Sequence, residues 1–214
     1  KHFAANNQET DRLRVNAIIS PRALREIYLP AFEHIVRTAQ PWTIMCSYNR
    51  INGVHSAQNG WLLTDVLRDE WGFSGIVMSD WGAAHDRVAS PNAGLNLEMP
   101  PSYTDDEIVR ATKDGRIHPA QLDRMASGMI DLVNKTREAM SVKGYRFDAA
   151  AHNEIARRAA VESMVLLKNE EGILPLDPDS GARIAVIGEF ARTPRYQGGG
   201  SSHITPTMMT SFLD

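Results

Sequence analysis

One aspartate and its tryptophan neighbour stand where a short apolar stretch of the sequence ends. Asp80 and Trp81 follow the run GIVMS, and the small residues Gly-Ala-Ala (82–84) come directly after them. A carboxylate at such a position could act as a nucleophile, a general base or a metal ligand. An indole beside a carboxylate is suited to packing on the face of a sugar ring, and the small residues leave room for a ligand. The simpler interpretation, that Asp80 only caps the next helix, stays open on these residues alone.

The beginning of the chain, KHFAANNQE (1–9), offers a second set of polar groups. Lys1 at the end of a strand could form a Schiff base with a carbonyl substrate, as in a lysine-dependent aldolase. It could equally donate hydrogen bonds to substrate hydroxyls, or it could simply be solvated. The amides and the carboxylate of NNQE are typical of sites for hydroxyl-rich ligands, and also of an ordinary polar loop.

Other candidate groups have ordinary structural explanations. Tyr48 lies near the end of the run TIMCSYN, where its hydroxyl could steady a carboxylate or its ring could be core, and Met45 in the same run is interpreted as packing. The loop GGGSS (198–202) lacks the lysine of a P-loop, so no phosphate site is predicted there. The histidines lack metal-ligand spacing, and Cys46 is the single cysteine, so we expect neither a metal site nor an internal disulfide.

The composition narrows the class of protein. With 214 residues, 43% hydrophobic and 23% charged, the chain has the makeup of an ordinary globular protein. A net charge of −3 indicates no surface for nucleic acid, and RLR (12–14) is interpreted as a solvated helix face. No apolar run approaches the length that spans a bilayer, so no membrane association is predicted. Cysteine usage favours a cytoplasmic location.

The elements that must position these groups alternate between strands and helices. Such alternation indicates parallel α/β architecture, in which reactive groups lie at the carboxyl ends of the strands. Tyr48, Asp80 and Glu98 fall at those ends. Strands are predicted over 43–49, 75–80 and 93–100. Helices are predicted over 20–39, 59–72, 104–115 and 119–140, with Ser20 as an N-cap and a capping box of Thr104 and Glu107.

The chain divides into two parts on these patterns. Residues 1–140 form the first domain, and its visible strands are too few for a closed barrel of eight, so it is expected to be the back half of one. Residues 141–151 lose the periodic pattern and are interpreted as a linker. The second part, 152–214, contains a predicted helix over 152–163 and predicted strands over 164–169 and 183–190, and is expected to be incomplete.

The sequence resembles glycoside hydrolase family 3, in its β-glucosidase branch. The matching stretches, in chain order, are KHFAANNQE, LREIYLPAFE, MCSYNRING, LLTDVLRDEWGFSGIVMSDW, AGLNLEMP, AAVESMVLLKNEEGILPL and IAVIGEF. The resemblance implies an α/β fold class: the C-terminal half of a TIM-type (β/α) barrel, followed by the beginning of an α/β sandwich domain. One departure from the family's pattern is Asn96, where relatives commonly have aspartate.

The resemblance also implies roles for the candidate residues. It implies that Asp80 is the nucleophile of a retaining glycosidase and that Trp81 forms a wall of the glucosyl site. It implies that Lys1 and His2 hydrogen-bond sugar hydroxyls and that Tyr48 lies near the nucleophile.

Further implications concern the rest of the substrate site. Met45 is expected to line the first subsite, and Ser201 to lie on a loop that reaches back to the mouth of the barrel. The acid/base glutamate is expected beyond residue 214, so neither Glu171 nor Glu189 is assigned that role.

The activity implied is that of a retaining, exo-acting β-glucosidase that needs no cofactor and releases β-D-glucose from β-glucosides or short β-glucans. The chain alone is expected to be inactive, and its partners are expected to be the remainder of the enzyme or further copies of itself. A β-xylosidase of the same family is disfavoured, because those enzymes usually have cysteine where this chain has Trp81. A non-catalytic sugar-binding or assembly subunit and the lysine-dependent aldolase remain as alternatives.

Overall fold

The computed structural model describes residues 1–214, apart from the side chain of Ala139, and divides them into two compact units, Lys1–Lys143 and Gly144–Asp214. In the part of the chain that it describes, no helix combines the length and the apolarity that crossing a membrane requires. The first unit contains, in chain order, β1 (Asn16–Ala17), α1 (Pro21–Ala23), a π-helical turn (Leu24–Tyr28), α2 (Pro30–Ala39), β2 (Thr43–Met45), β3 (Arg50–Ile51), β4 (Val54–His55), a 3₁₀ turn (Ser56–Gln58), a π-helix (Trp61–Glu70), β5 (Ile76–Met78), α3 (Ala89–Ala93), α4 (Asp105–Lys113) and α5 (Pro119–Met140).

Parallel segments of the first unit lie side by side in the order in which they occur in the chain. β2 and β5 pair in parallel over their whole length. On the outer side of β2, Phe3 forms a parallel bridge with Cys46, and beyond β5 a parallel bridge joins Met78 to Leu97. Helices connect these neighbours, which is the alternating parallel arrangement that the sequence predicts. The carboxyl ends of all these segments therefore meet at one edge of the sheet.

The core of this unit lies between the sheet and the helices that cover it. The ring of Phe3 is completely buried, with its centroid 5.0 Å from that of Phe32 and 5.8 Å from that of Trp71, both in edge-on geometry. This packing anchors the beginning of the chain beside β2. The π-helix contributes side chains that are fully buried, namely Leu62, Leu63, Val66 and Leu67.

The helix predictions of this unit are largely confirmed. The hydroxyl of Ser20 accepts a hydrogen bond from the Ala23 N–H at 3.2 Å, with Pro21 in the first helical position. The side chain of Asn59 begins the next helix by accepting from the Leu62 N–H at 3.1 Å. Helix α5 has the bounds that the sequence predicts.

The predicted capping box of Thr104 and Glu107 is wrong, although α4 begins at the predicted place. Thr104 makes no side-chain cap. Its hydroxyl oxygen instead lies 2.8 Å from that of Ser102, which also donates to Glu98 at 2.8 Å. The hydroxyl is thus engaged by the preceding loop and points away from the helix end.

The strand predictions have the right places but the wrong lengths. The segment predicted over 93–100 is wrong at its start, because Ala93 ends α3 and Gly94 follows with a φ of 109°. That left-handed residue turns the chain, so that only Leu97 pairs with β5. The other predicted strands shorten to β2 and β5. The hairpin of β3 and β4, which turns at Asn52 and Gly53, was not predicted.

The second unit contains α6 (Ala149–Ser163) and two 3₁₀ turns, Glu189–Ala191 and Gly200–Ser202. Helix α6 begins before the predicted His152, because the Asp148 carboxylate caps it by accepting from the Ala151 N–H at 3.0 Å.

The strands predicted over 164–169 and 183–190 are wrong for the described chain. Leu167 and Ile187 are 91% and 92% exposed, and neither segment pairs with another among the described residues. An extended segment becomes a strand only when a neighbour satisfies its backbone groups.

Candidate active site

Asp80 lies at the carboxyl edge of the sheet, two residues after the end of β5, and only 9% of it is exposed. Residues on both sides of it are hydrogen-bonded to Met99 of the neighbouring segment. The Ser79 hydroxyl accepts from the Met99 N–H at 2.8 Å, and the Gly82 N–H donates to the Met99 carbonyl at 2.7 Å. Hydrogen bonds thus hold the turn that carries Asp80 in place. A catalytic group needs such support, because it must be kept in one orientation.

The two oxygens of the Asp80 carboxylate have different surroundings. Oδ1 accepts a hydrogen bond of 2.7 Å from the Trp81 N–H. Oδ2 lies 3.3 Å from Nε2 of His2, yet it is buried and has no partner of hydrogen-bond geometry among the described residues. A buried carboxylate oxygen without a donor is costly, which makes this atom a candidate to bind or react with a ligand.

The imidazole of His2 approaches the Asp80 carboxylate from the beginning of the chain. Burial lowers the pKa of His2 below its usual value, and this outweighs the attraction of Asp80, while the charge of Lys1 lowers that pKa further. A neutral imidazole can donate one hydrogen bond and accept another, which suits contact with a hydroxyl-rich ligand.

Tyr48 supports the turn after Asp80 through a hydrogen bond. Its hydroxyl donates to the Trp81 carbonyl at 2.9 Å. Burial raises the pKa of Tyr48, and the negative charge of Asp80 raises it further. The phenol is therefore a neutral donor that helps to fix the Asp80–Trp81 peptide.

Arg12 is a residue of this region that the sequence interpretation missed. Its guanidinium carbon lies 5.0 Å from the centre of the Tyr48 ring, and its Nη1 donates to Glu9 at 2.8 Å. The interpretation of residues 12–14 as a solvated helix face is wrong for Arg12, because the ring of Tyr48 attracts the cation. Sequence spacing gives no signal for this contact, since the two residues lie on different elements.

Lys1 is exposed and shares with His2 an open cavity of about 320 Å³ beside the sheet edge. The amide side chains of Asn6 and Asn7 line the same cavity, and Oδ1 of Asn6 is buried without a hydrogen-bond partner among the described residues. These unfilled polar groups match the character of a site for hydroxyl-rich ligands.

The remaining predicted site residues are more scattered. Trp81 is 64% exposed, so its indole is free to contact a ligand. Met45 is half-buried at the end of β2, where it is in register with Met78 of β5. Ser201 lies in a 3₁₀ turn of the second unit. The structure therefore brings His2, Tyr48 and Trp81 to Asp80, whereas the role of Ser201 stays a prediction.

A buried polar network, not foreseen from the sequence, holds the chain start against the loop after β2. The Ser47 hydroxyl donates to the Ala4 carbonyl at 2.9 Å and lies 2.8 Å from the Ser56 hydroxyl. The amide of Asn49 also reaches the Ala4 carbonyl, at 3.3 Å. This network fixes the segment that carries His2.

The thiol of Cys46 lies in the core beneath the site. Burial raises the pKa of Cys46 to about 12, so the thiol is protonated and inert at neutral pH. Among the described residues, no group of three acidic, histidine or cysteine side chains is placed to hold a metal ion. A single fixed carboxylate beside a neutral imidazole and a phenol is an arrangement suited to attack on carbon.

Comparison with known proteins identifies the family. A profile of the Glycosyl hydrolase family 3 N terminal domain matches residues 1–132, and a profile of the family's C-terminal domain matches residues 164–214. The chain belongs to glycoside hydrolase family 3. The resemblance stated from the sequence is thus confirmed, and so is the fold class, a mixed α/β chain that contains part of a TIM-type barrel.

Three relatives show how similar this chain is to known members of family 3 and how much of their length it covers. The exo-α-(1→6)-L-arabinopyranosidase of Bifidobacterium breve is 79% identical, over 100% of this chain and 29% of its own length. The crystal structure of the GH3 β-glucosidase of Bifidobacterium adolescentis is 80% identical with a TM-score of 0.91, over 100% of this chain and 31% of its own. β-Glucosidase 3B of Thermotoga neapolitana in complex with glucose is 40% identical with a TM-score of 0.88, with the same coverage of 100% and 31%. The chain thus spans less than a third of the length of these relatives.

Proposed function

We propose that the protein containing this chain is a retaining, exo-acting β-glucosidase with Asp80 as its nucleophile. The observation that carries this proposal is the Asp80 carboxylate itself, which is braced at the carboxyl edge of the sheet with Oδ2 unpartnered. The likeness to β-glucosidases, one of them in complex with glucose, supports the sugar assignment.

In this mechanism the Asp80 carboxylate attacks the anomeric carbon while the bond to the leaving oxygen breaks, and an acid protonates that oxygen. Water then attacks the anomeric carbon of the glycosyl ester. The group that served as the acid, now deprotonated, acts as a base and takes a proton from this water, and the bond to Asp80 breaks, which frees the carboxylate. Retention requires the two carboxyl groups to lie about 5–5.5 Å apart. We propose that the acid/base glutamate comes from a part of the full-length protein outside this chain, so that the chain alone is inactive.

The neighbours of Asp80 act on the substrate in the same proposal. Lys1 and His2 bind hydroxyls of the terminal glucosyl residue, and Trp81 packs on the face of the ring. Tyr48 keeps the Asp80 turn in place through its bond to the Trp81 carbonyl. Met45 lines the same subsite from the end of β2.

A second candidate substrate follows from the 79% identity to an exo-α-(1→6)-L-arabinopyranosidase. An α-L-arabinopyranoside carries its leaving group in the same ring orientation as a β-D-glucoside, so the same nucleophile serves both. The two sugars differ in the hydroxymethyl group at C5 and in the orientation of one hydroxyl. Comparison of kcat/KM for the p-nitrophenyl derivatives of both sugars measures the preference, and a higher value for the arabinoside would overturn the glucosidase assignment while leaving the nucleophile intact.

The decisive experiment is intact mass and peptide mapping after incubation with 2-deoxy-2-fluoro-β-D-glucosyl fluoride. The full-length protein is expected to gain one glycosyl group on the peptide that contains Asp80, and Asp80→Asn is expected to gain none. Asp86→Asn is the matched control, because Asp86 lies nearby in the sequence but its carboxylate accepts hydrogen bonds from the N–H groups of Val88 and Ala89 at the start of α3. A label on another carboxylate would overturn the assignment of the nucleophile, and absence of any label would overturn the proposed glucosidase mechanism.

A further inference from the structure

A cavity of about 430 Å³ opens at the edge of the sheet opposite to Asp80, where β5 begins. Gly75 and Asn96, which line it, come directly before the pairing residues Ile76 and Leu97. The π-helix and α5 supply its other walls. Nothing in the glycosidase mechanism proposed above uses this end of the sheet.

Two arginines on different helices, Arg68 and Arg124, face this cavity. Arg68 of the π-helix donates to neutral acceptors only: the Gly75 carbonyl at 3.0 Å, the Gly94 carbonyl at 3.4 Å and Oδ1 of Asn96 at 2.8 Å. Arg124 of α5 donates to the amide oxygen of Gln121. Each guanidinium carries five N–H donors, so both retain donors that no described residue accepts.

The two positive charges have little local compensation. Among the described residues, no carboxylate lies within ion-pair distance of Arg68 or Arg124. Asp69 is the one acidic residue among the described lining residues, and it is exposed, while Asp131 lines a smaller adjoining cavity. Burial lowers the pKa of Arg68 and repulsion by Arg124 adds to this, while the negative charge of Asp69 offsets these effects only in part.

Asn96 occupies the position from which a carboxylate could neutralise the positive charge of Arg68. Its Oδ1 accepts hydrogen bonds from Arg68 at 2.8 Å and from the Val77 N–H at 2.9 Å. These bonds fix the position of the side chain, which carries no charge. A carboxylate in the same place would form an internal ion pair with Arg68. The amide leaves the guanidinium available to an external anion.

We propose that this cavity binds a tetrahedral oxyanion of the phosphate class, either inorganic phosphate or a phosphate monoester, between Arg68 and Arg124. Planar guanidinium groups bind such anions through paired, charge-assisted hydrogen bonds. The hydroxyl of Ser74, which also lines the cavity, is a further donor. The volume exceeds that of inorganic phosphate, so a small organic substituent on the phosphate has room.

Isothermal titration calorimetry of the full-length protein with inorganic phosphate tests this site. Saturable binding of one phosphate is expected. Arg124→Gln is expected to weaken it at least tenfold, because one charge-assisted pair is lost. Asn96→Asp is expected to weaken it similarly, because the new carboxylate pairs with Arg68. The matched control is Arg137→Gln, which removes a charge from α5 away from the cavity and is expected to leave the affinity unchanged.

The outcomes decide between a specific site and general charge attraction. Equal affinity of wild type, Arg124→Gln and Asn96→Asp would overturn the proposal, as would the absence of saturable binding to the wild type. Arg124 is exposed, so its variant is expected to keep the thermal stability of the wild type. A parallel titration with glycerol phosphate separates the sources: tighter binding than inorganic phosphate identifies a phosphate monoester as the ligand, and weaker binding identifies the free anion.

Discussion

Nε2 of His2 lies 3.3 Å from Oδ2 of Asp80, and burial keeps the imidazole neutral despite the nearby carboxylate. The two residues come from separate parallel segments whose ends meet at one edge of the sheet. A neutral imidazole there leaves the negative charge of Asp80 intact, which the nucleophile role proposed for Asp80 requires. The electrostatics of this pair lead to the first prediction.

His2 is expected to make the protein less stable as the pH falls below about 6.5. Its pKa is lowered in the folded state, so the unfolded chain takes up the proton first and the free energy of unfolding falls in that window. His2→Gln cannot be protonated and is expected to flatten the dependence. Urea unfolding of the full-length protein at a series of pH values measures it. His203→Gln, at an exposed histidine, is the control, and the prediction fails if His2→Gln keeps the wild-type slope.

Tyr48→Phe is expected to destabilise the folded protein by about 1 kcal/mol, since it removes the hydrogen bond to the Trp81 carbonyl. It is also expected to change the alkaline behaviour. The raised pKa of Tyr48 gives the wild type stability that is lost as the pH rises above about 10, and the variant lacks this contribution. Chemical denaturation at neutral and alkaline pH measures both effects. Tyr145→Phe changes an exposed tyrosine and should match the wild type, and an equal loss in both variants would contradict the prediction.

Cys46 is expected to resist alkylation while the protein is folded. With a pKa of about 12 and no exposed surface, its thiol presents neither the thiolate nor the access that the reaction needs. Iodoacetamide at mildly alkaline pH should label the peptide that contains Cys46 only after urea is added, as mass spectrometry will show. Similar labelling rates with and without urea would mean that the region beneath Asp80 opens readily.

Ser47→Ala is expected to cost about 1–3 kcal/mol of stability, because it leaves the buried Ala4 carbonyl with a weaker partner. It is also expected to loosen the segment that carries Lys1 and His2, and so to raise KM. Thermal denaturation and steady-state kinetics of the full-length enzyme check the two effects. Ser127→Ala, on the exposed side of α5, is the control, and a variant of Ser47 with wild-type stability would show that the network does not hold the chain start.

Local chemistry in the sequence determined much of the fold. Ser20 before Pro21, and the apolar spacing and proline start of α5, mark helices because capping and periodic burial act within a few residues. The motif that ends in Asp80 and Trp81 likewise indicated the candidate site, since the carboxyl ends of strands are the reactive edge of parallel sheets. The strands predicted over 164–169 and 183–190 failed because a strand also needs a partner, which no local pattern supplies.

Only the tertiary structure decided which groups meet. The approach of His2 to Asp80, the position of Arg12 over Tyr48, and the hydrogen bond from Arg68 to Asn96 all join separate elements. Their effects depend on distance and burial, which change pKa values and hydrogen bonding strongly over a few ångströms. Residue types and their spacing in the sequence identify candidate functional residues, but the packing of separate elements sets the distances between them.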